Sequence, residues 1–405
     1  MHFLFAWRYF RGKYAFQAIQ IIAWVSVFAI AIGTAALITI LSVSNGFTSV
    51  VKTLYADFYA DVRVTPKAGK YFSITDAQYQ QLKSVTGVKA ISKVIENRAL
   101  LVKDGLQTVA IVKGVENAYG NINNIKKYLK RGECAIGDTT TPLFIMGIGI
   151  EQKLGLMQSM IGDTIQVYAV NRSGKAVTQL GQLNTLNVQE SGAFSVQQEF
   201  DDQYVFTNAA FAQYLFDLQP NEVSAIELSL TGTGTDEKVI SAIQQILGPQ
   251  FIVQNKYQQN ADLYRIMQVE KWIIFCILAI IMLVASFNLV GALTMLVLEK
   301  QKDIHVLNAM GATQWDIQKI FLLLSGVMAL MGALIGGGLA SLFIWLQYKF
   351  HLIKLGGGSF IIDYYPIEPM AMDYIAIITL VIVIALLAGW IPSRKAAAKI
   401  HERIV

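Results

Sequence analysis

Four stretches of this chain carry no Asp, Glu, Lys or Arg and are each long enough to cross a bilayer. They are Ala18 to Val43, Trp272 to Leu298, Ile320 to Tyr348 and Tyr374 to Pro392. A helix needs about 20 apolar residues to traverse the hydrocarbon, because each unpaired backbone group there costs several kcal/mol. A charge at mid-span adds about 3 kcal/mol. Only 15% of the 405 residues are charged and 54% are hydrophobic, against about 25% charged in a soluble domain. That balance excludes a disordered scaffold, a collagen-like fibre and an ordinary cytosolic enzyme. The first stretch is also longer than a signal-peptide core of about 7–15 residues, and no small-residue cleavage site closes it. The expected fold class is an α-helical membrane protein with four transmembrane helices and a large α+β extracytoplasmic domain between the first and second.

Lys and Arg positions set the orientation. Arg8, Arg11 and Lys13 precede the first span, Lys300, Lys302 and Lys319 separate the second from the third, and Arg394, Lys395, Lys399 and Arg403 follow the fourth. Both termini and the 299–319 loop are therefore expected in the cytoplasm, and 46–268 outside. The boundaries read as an interfacial amphipathic helix over 1–17, spans over 18–45, 269–298, 320–348 and 373–392, a short outer loop over 349–372, and a cytoplasmic tail over 393–405. The net charge of +5 is largely this inside-facing basic rim. No basic patch interleaves with aromatic residues, so nucleic-acid binding is not expected.

Within 46–268, Asp61 to Pro66 alternates like a strand and Ala99 to Glu116 reads as a hairpin about Asp104-Gly105. Thr75-Asp76, with Gln78 set to close a capping box, opens one helix, and Thr235-Asp236 opens another. Each helix lies between two strands. The spacing predicts a strand–helix–strand unit used twice, over 46–118 and 220–268, packed into one membrane-proximal domain around an inserted β-rich domain over 119–219. In that insert, Asn171 to Asn184 is polar and lacks a hydrophobic period, as a hairpin tip does.

No catalytic constellation emerges: HExxH, GxSxG and phosphate-loop patterns are missing. The four histidines (His2, His305, His351, His401) are far apart, and Cys134 and Cys276 suit neither a disulfide framework nor a metal site. Gly232-Thr233-Gly234 lacks the lysine of a phosphate loop. No cofactor or metal bound by this chain is expected, nor an enzyme. The most informative short stretch is Glu299 to Ala312, which mixes charges with Ile304, Val306 and Leu307 before Gly311 breaks it. Such a short amphipathic helix suits the membrane interface or a partner's groove.

Leu41-Ser42-Val43-Ser44-Asn45-Gly46-Phe47 resembles the LSVMNGF motif of LolC/LolE permeases, with Ser44 where Met is usual. The 299–320 loop is similar to that family's E-K-x-x-E-I-x-x-L-x-A-M-G-A segment, with Asp303 for Glu. Pro392-Ser393-Arg394-Lys395-Ala396-Ala397 resembles its PSRRAA tail, and Gly155 with Ile161 to Ile165 its LG…GD-x-I stretch. The loop and tail are shared with MacB and FtsX permeases, whereas LSVxNGF is the specific element.

The resemblance implies a MacB-like, type VII ABC transporter permease that works by mechanotransmission. It would extract triacylated lipoproteins from the outer leaflet of the inner membrane and pass them to a periplasmic LolA-like carrier. Cytoplasmic ABC ATPase subunits would bind ATP and Mg, and a second permease protomer, the same or paralogous, would complete the complex among membrane lipids. The ATPase-coupling helix would use Glu299, Lys300, Lys302, Asp303, Ile304, His305, Leu307, Met310 and Gly311. The lipoprotein cavity would be lined by Leu37, Leu41, Val43, Asn45, Phe47, Met267 and Ile274. By position Arg172, Lys175, Gln179 and Gln182 fall in the carrier hook, although the hook's proline is absent. The alternatives are a MacB-like efflux permease, or an FtsX-like transducer controlling a cell-wall hydrolase.

Overall fold

The computed structural model describes residues 17–156, 162–170, 183–232, 237–355 and 364–398. The expected interfacial helix (1–16 of it), the whole set Arg172, Lys175, Gln179 and Gln182, and the Thr235-Asp236 helix start lie outside these residues. The chain divides into a span unit (up to 50, 265–356, and from 362) and an insert unit (51–264).

Among the described residues four helices, which make up most of the span unit, are long and apolar enough to cross a membrane. They are Gln17–Phe58, Ala261–Glu299, Gln314–Phe350 and Ala371–Ala398. Each overruns its expected span, the first by more than three turns past Asn45. Apolarity marks where lipid ends, but a helix ends only where a breaker or cap stops it. No proline follows Asn45 in that helix, while the third helix starts early because Thr313 caps it in a box with Asp316. The bundle core is continuous through Val27, Leu37, Leu41, Leu289, Phe321 and Val381. Gly332 and Gly336 of the third helix face the first: a Cβ at 332 would meet Ile30 Cγ2 at 2.7 Å, and one at 336 would meet Thr34 Cβ at 2.7 Å. This small-xxx-small pair therefore lets two backbones approach within one chain.

The insert unit holds strands β1 Val62–Pro66, β2 Phe72–Ser73, β3 Val88–Lys103, β4 Leu106–Val115, β5 Leu129–Gly132 and β6 Leu143–Gly147. It continues with β7 Thr164–Val170, β8 Leu183–Phe194, β9 Tyr204–Asn208, β10 Glu222–Val223, β11 Ala225–Leu230 and β12 Phe251–Asn255. The helix Asp76–Lys83 follows β1 and β2, with Thr75 and Gln78 forming the capping box, and Glu237–Leu247 joins β11 to β12. The two strand–helix–strand units interleave, giving the order β12-β1-β11-β3.

The segment 119–219 does not form a sheet of its own. The path runs on as β3-β4-β9-β6-β8-β5, in one ten-stranded sheet among the described residues. The physical reason is the length of β3, at 16 residues. One edge of β3 pairs with β4 along Val94–Lys103, closing on a tight turn in which Asp104 and Gly105 both take positive φ. The other edge is shared, with β11 along Val88–Val94 and β7 along Leu100–Val102. A single strand thus belongs to both halves, and no linker separates them.

Charged residues cross the middle of this sheet. Arg63 on β1 sits opposite Glu227 on β11, and Glu96 on β3 opposite Lys113 on β4. Lys113 Nζ lies 2.9 Å from Glu227 Oε1, with both side chains 1% exposed. Arg63 bridges Glu227 at 3.1 Å and Glu96 at 2.8 Å, and Tyr119 Oη donates to Glu227 at 2.5 Å. Burial pushes the Glu227 carboxyl up, but Lys113 and Arg63 outweigh it and hold the group below its usual range.

A second cluster is less balanced. Arg131 pairs with both Glu151 and Glu190, each almost wholly buried. Burial, then the neighbouring Glu190 charge, raises Glu151 from 4.5 to about 6. The folded state holds that proton to a higher pH than the unfolded chain, so stability falls as pH rises from about 4.5 to about 6. Glu151→Gln should therefore stabilise the insert unit by about 1 kcal/mol at pH 7.5 and by nothing at pH 4. Urea unfolding at the two pH values measures this; a variant no more stable than the parent at pH 7.5 would contradict it.

Candidate functional site

The loop between the second and third long helices folds as a short helix, Gln301–Ala309. It stops at Gly311, whose φ of 92° an L side chain rarely adopts, and the Gly311 and Ala312 N–H groups close onto the Asn308 and Leu307 carbonyls. Ile304 is the anchor: it is 5% exposed and belongs to the core cluster that includes Ile317 and Phe321. Glu299, Lys300 and Leu307 are half-buried, while Lys302, Asp303, His305, Met310 and Gly311 are exposed. Lys300 pairs with Asp303 at 3.4 Å.

Ile304 therefore cannot belong to a docking face, contrary to expectation. The helical period carries it toward the bundle and sends Lys302, Val306 and Met310 outward, one turn apart. Val306 is 60%, Met310 78% and Trp315 63% exposed. Val306 and Trp315 are the members of this face that motif comparison missed; the 302/306/310 spacing would have found the first. Three large apolar groups uncovered at a loop form a surface suited to a helix-in-groove or interfacial contact.

At the other end of the first helix, the expected cavity residues separate by burial. Leu37, Leu41 and Asn45, four residues apart, are 3%, 2% and 3% exposed and point into the bundle. They hold helices together and cannot line an open cavity of this chain. Val43, Phe47, Met267 and Ile274 are half-buried, with Phe47 edge-on to Tyr365 at 5.6 Å. Their surroundings on the second helix are open: Ile266, Val269, Trp272, Ile273 and Ile277 are more than half exposed.

Asn45 is a junction. Its Nδ2 donates to Asp373 Oδ2 at 2.5 Å and to the Glu368 carbonyl at 3.4 Å. Its Oδ1 accepts from Lys271 Nζ at 3.0 Å, and Lys271 pairs with Asp373 at 3.3 Å. One carboxamide thus joins the first, second and fourth helices. Gly46 beside it lets residues 366–367 pass against the helix, since a Cβ would sit 2.5 Å from the Pro366 carbonyl carbon. The Glu368 N–H then donates to the Ser42 carbonyl at 2.9 Å. Lys271 and Asp373 were not among the expected site residues. The available signal was their opposite charges, each just before a span on the same side of the membrane.

Residues 23–246 match the model of the MacB-like periplasmic core domain, more than half of the chain, and residues 275–399 match the FtsX-like permease C-terminal model. The chain belongs to the MacB/FtsX-like permeases. Its relatives include the lipoprotein-releasing system transmembrane protein LolE of Haemophilus influenzae, 25% identical over 98% of this permease and 96% of that protein. The corresponding LolC of Neisseria meningitidis serogroup B is 28% identical over 98% of the permease and 97% of that chain. The insert of the permease is thus a periplasmic domain of an inner-membrane protein.

Proposed function

We propose that this permease is the membrane subunit of an ABC transporter that takes acylated lipoproteins from the outer leaflet of the inner membrane and hands them to a periplasmic carrier. The observation that carries the reading is the near full-length similarity to LolC and LolE proteins named for lipoprotein release. The chemistry asks for an external energy source. Each acyl CH₂ contributes about 0.8 kcal/mol to anchoring, so three long chains hold a lipoprotein by roughly 30 kcal/mol. Non-covalent binding saturates near 20 kcal/mol, and no single binding step could extract it. ATP and Mg would be bound by separate cytoplasmic subunits, with both termini of the permease on their side and a second protomer, identical or paralogous, completing the complex. The polar segment around 171–184 is assigned to contact the carrier.

The uncovered face of the 301–309 helix supports the ATPase seat. Val306→Glu with Met310→Glu should cut ATPase copurification about tenfold or more, since two apolar anchors of a groove contact are lost, without reducing membrane insertion. Ile304→Ala should act differently, loosening the span unit itself. Unchanged copurification in the double variant would remove the coupling role from this face.

The function as a whole is tested by depleting the permease and following one acylated outer-membrane lipoprotein by membrane fractionation. Accumulation in the inner membrane with normal division supports release. Undisturbed sorting would defeat it and favour efflux or hydrolase control.

A further inference from the structure

The insert unit contains a cavity of about 400 Å³ that none of the assignments above uses. Its walls are apolar: Val115, Ile125, Ile136, Ile145 and Phe206, with the ring of Tyr119. That volume lies within the range of small-ligand sites, about 300–1,000 Å³, which combine apolar walls with a few placed polar groups.

The polar residues on its lining are Glu116, Asn117, Asn123, Lys126 and Cys134, and two of them, Asn123 and Lys126, offer donors. Asn123 lines the cavity and is 6% exposed, yet its Nδ2 has no hydrogen-bond partner among the described residues. A buried donor left so costs about 1–3 kcal/mol. Its position is imposed by its neighbours. The Asn123 N–H bonds the Tyr119 carbonyl, and Asn124 is tied to Asp57 through both its backbone N–H and its side chain at 2.8 Å. The backbone that carries the carboxamide is therefore fixed, and its Nδ2 remains an unsatisfied donor.

Lys126 stands exposed at the rim and makes no ion pair among the described residues. It is near the Cys134 thiol, which also lines the cavity: burial pushes that thiol up and the Lys126 charge partly offsets it. Glu116, the carboxylate on the wall, already accepts from Tyr79 Oη at 2.7 Å and from the Lys93 N–H at 3.0 Å. The groups left to meet a ligand are thus the donors Asn123 Nδ2 and Lys126 Nζ, over an apolar floor, while Glu116 is engaged by its own donors.

We propose that this cavity binds an apolar group ending in a carboxylate, with the tail against Ile136, Ile145 and Phe206 and the carboxylate accepting from Asn123 Nδ2 and Lys126 Nζ. Two sources share that chemistry: a fatty acid, and the C-terminus of a peptide with apolar last residues.

Cys134 supplies the readout. The full chain carrying Cys276→Ser, in lipid nanodiscs, keeps Cys134 as its one thiol. Its alkylation rate by a maleimide is measured with sodium octanoate, octylammonium chloride, acetyl-trileucine, or the amide of that peptide. Slowing by octanoate without slowing by octylammonium supports the site and a fatty-acid ligand. Slowing by acetyl-trileucine but not its amide supports the site and a peptide ligand. In either case Lys126→Gln, a surface change, and the near-isosteric Asn123→Asp should each raise the concentration for half-protection about tenfold or more. Equal slowing by carboxylate and ammonium, no slowing by any probe, or unchanged protection in both variants would overturn the proposal.

Discussion

Glu227→Ala is expected to remove about 3–5 kcal/mol from the stability of the insert unit, because it strands two cations in the sheet interior. Lys113 Nζ and Arg63 both bond this carboxylate, and Lys113, 1% exposed, has no water to turn to. Arg63 keeps Glu96 at 2.8 Å, so Lys113 bears most of the loss. The network as a whole need not stabilise. Replacing the buried pair together, Lys113→Met with Glu227→Leu, should cost less than Glu227→Ala alone, since it removes both charges. Because the Glu227 carboxyl is held low, its contribution is present above the unfolded carboxyl range and is lost as acid takes the pH down through the folded value. Urea unfolding of the three proteins by circular dichroism decides it. If Glu227→Ala stays within about 1 kcal/mol of the parent, the network is not what secures β1, β11 and β4.

Gly46→Ala should abolish release while leaving the protein inserted. The added Cβ would stand 2.5 Å from the Pro366 carbonyl carbon and 2.8 Å from the Ile367 nitrogen, both backbone atoms that no rotamer can clear. Overpacking of this kind costs about 1–3 kcal/mol. The segment must retreat, and with it go the Glu368–Ser42 bond and the Asn45 contact to the Glu368 carbonyl. Gly33→Ala on the same helix is the control. Its Cβ would meet only the flexible end of Met282, at 3.4 Å from Cε and 3.6 Å from Sδ, so release should persist. Lipoprotein fractionation in cells carrying each variant makes the comparison, and equal release by both would show that the 366–368 contact is dispensable.

What could be seen in advance follows the range of the interactions. The spans, the Asp104-Gly105 turn and the Thr75–Gln78 cap depend on residues close in sequence, and all are legible there. Sharing of the β3 edge between β11 and β7 joins positions more than 60 residues apart, and no local pattern announces it. The insert therefore read as a separate domain. Asn45 shows the same limit at a single residue. A motif marks it as special, but only its distances to Lys271 and Asp373 reveal a junction. Ile304 differs, because the period that turns it inward is in the sequence and was outweighed by its place in a motif.

The glycines of the span unit carry a mechanical meaning. The first and third helices are interlocked at Gly332 and Gly336, and the third and fourth at Gly389, where a Cβ would meet Ser325 Cβ at 2.7 Å. Helices in such close contact cannot slide without climbing over one another, so these three form a stiff block. The second helix has the lowest buried share of the four, 22% in its most apolar window, and touches the first through pliable side chains such as Met282. It also carries Lys271 and ends next to the 301–309 helix. A push delivered at the 301–309 helix would meet least resistance along this one rod, and the Asn45 junction would have to yield to it.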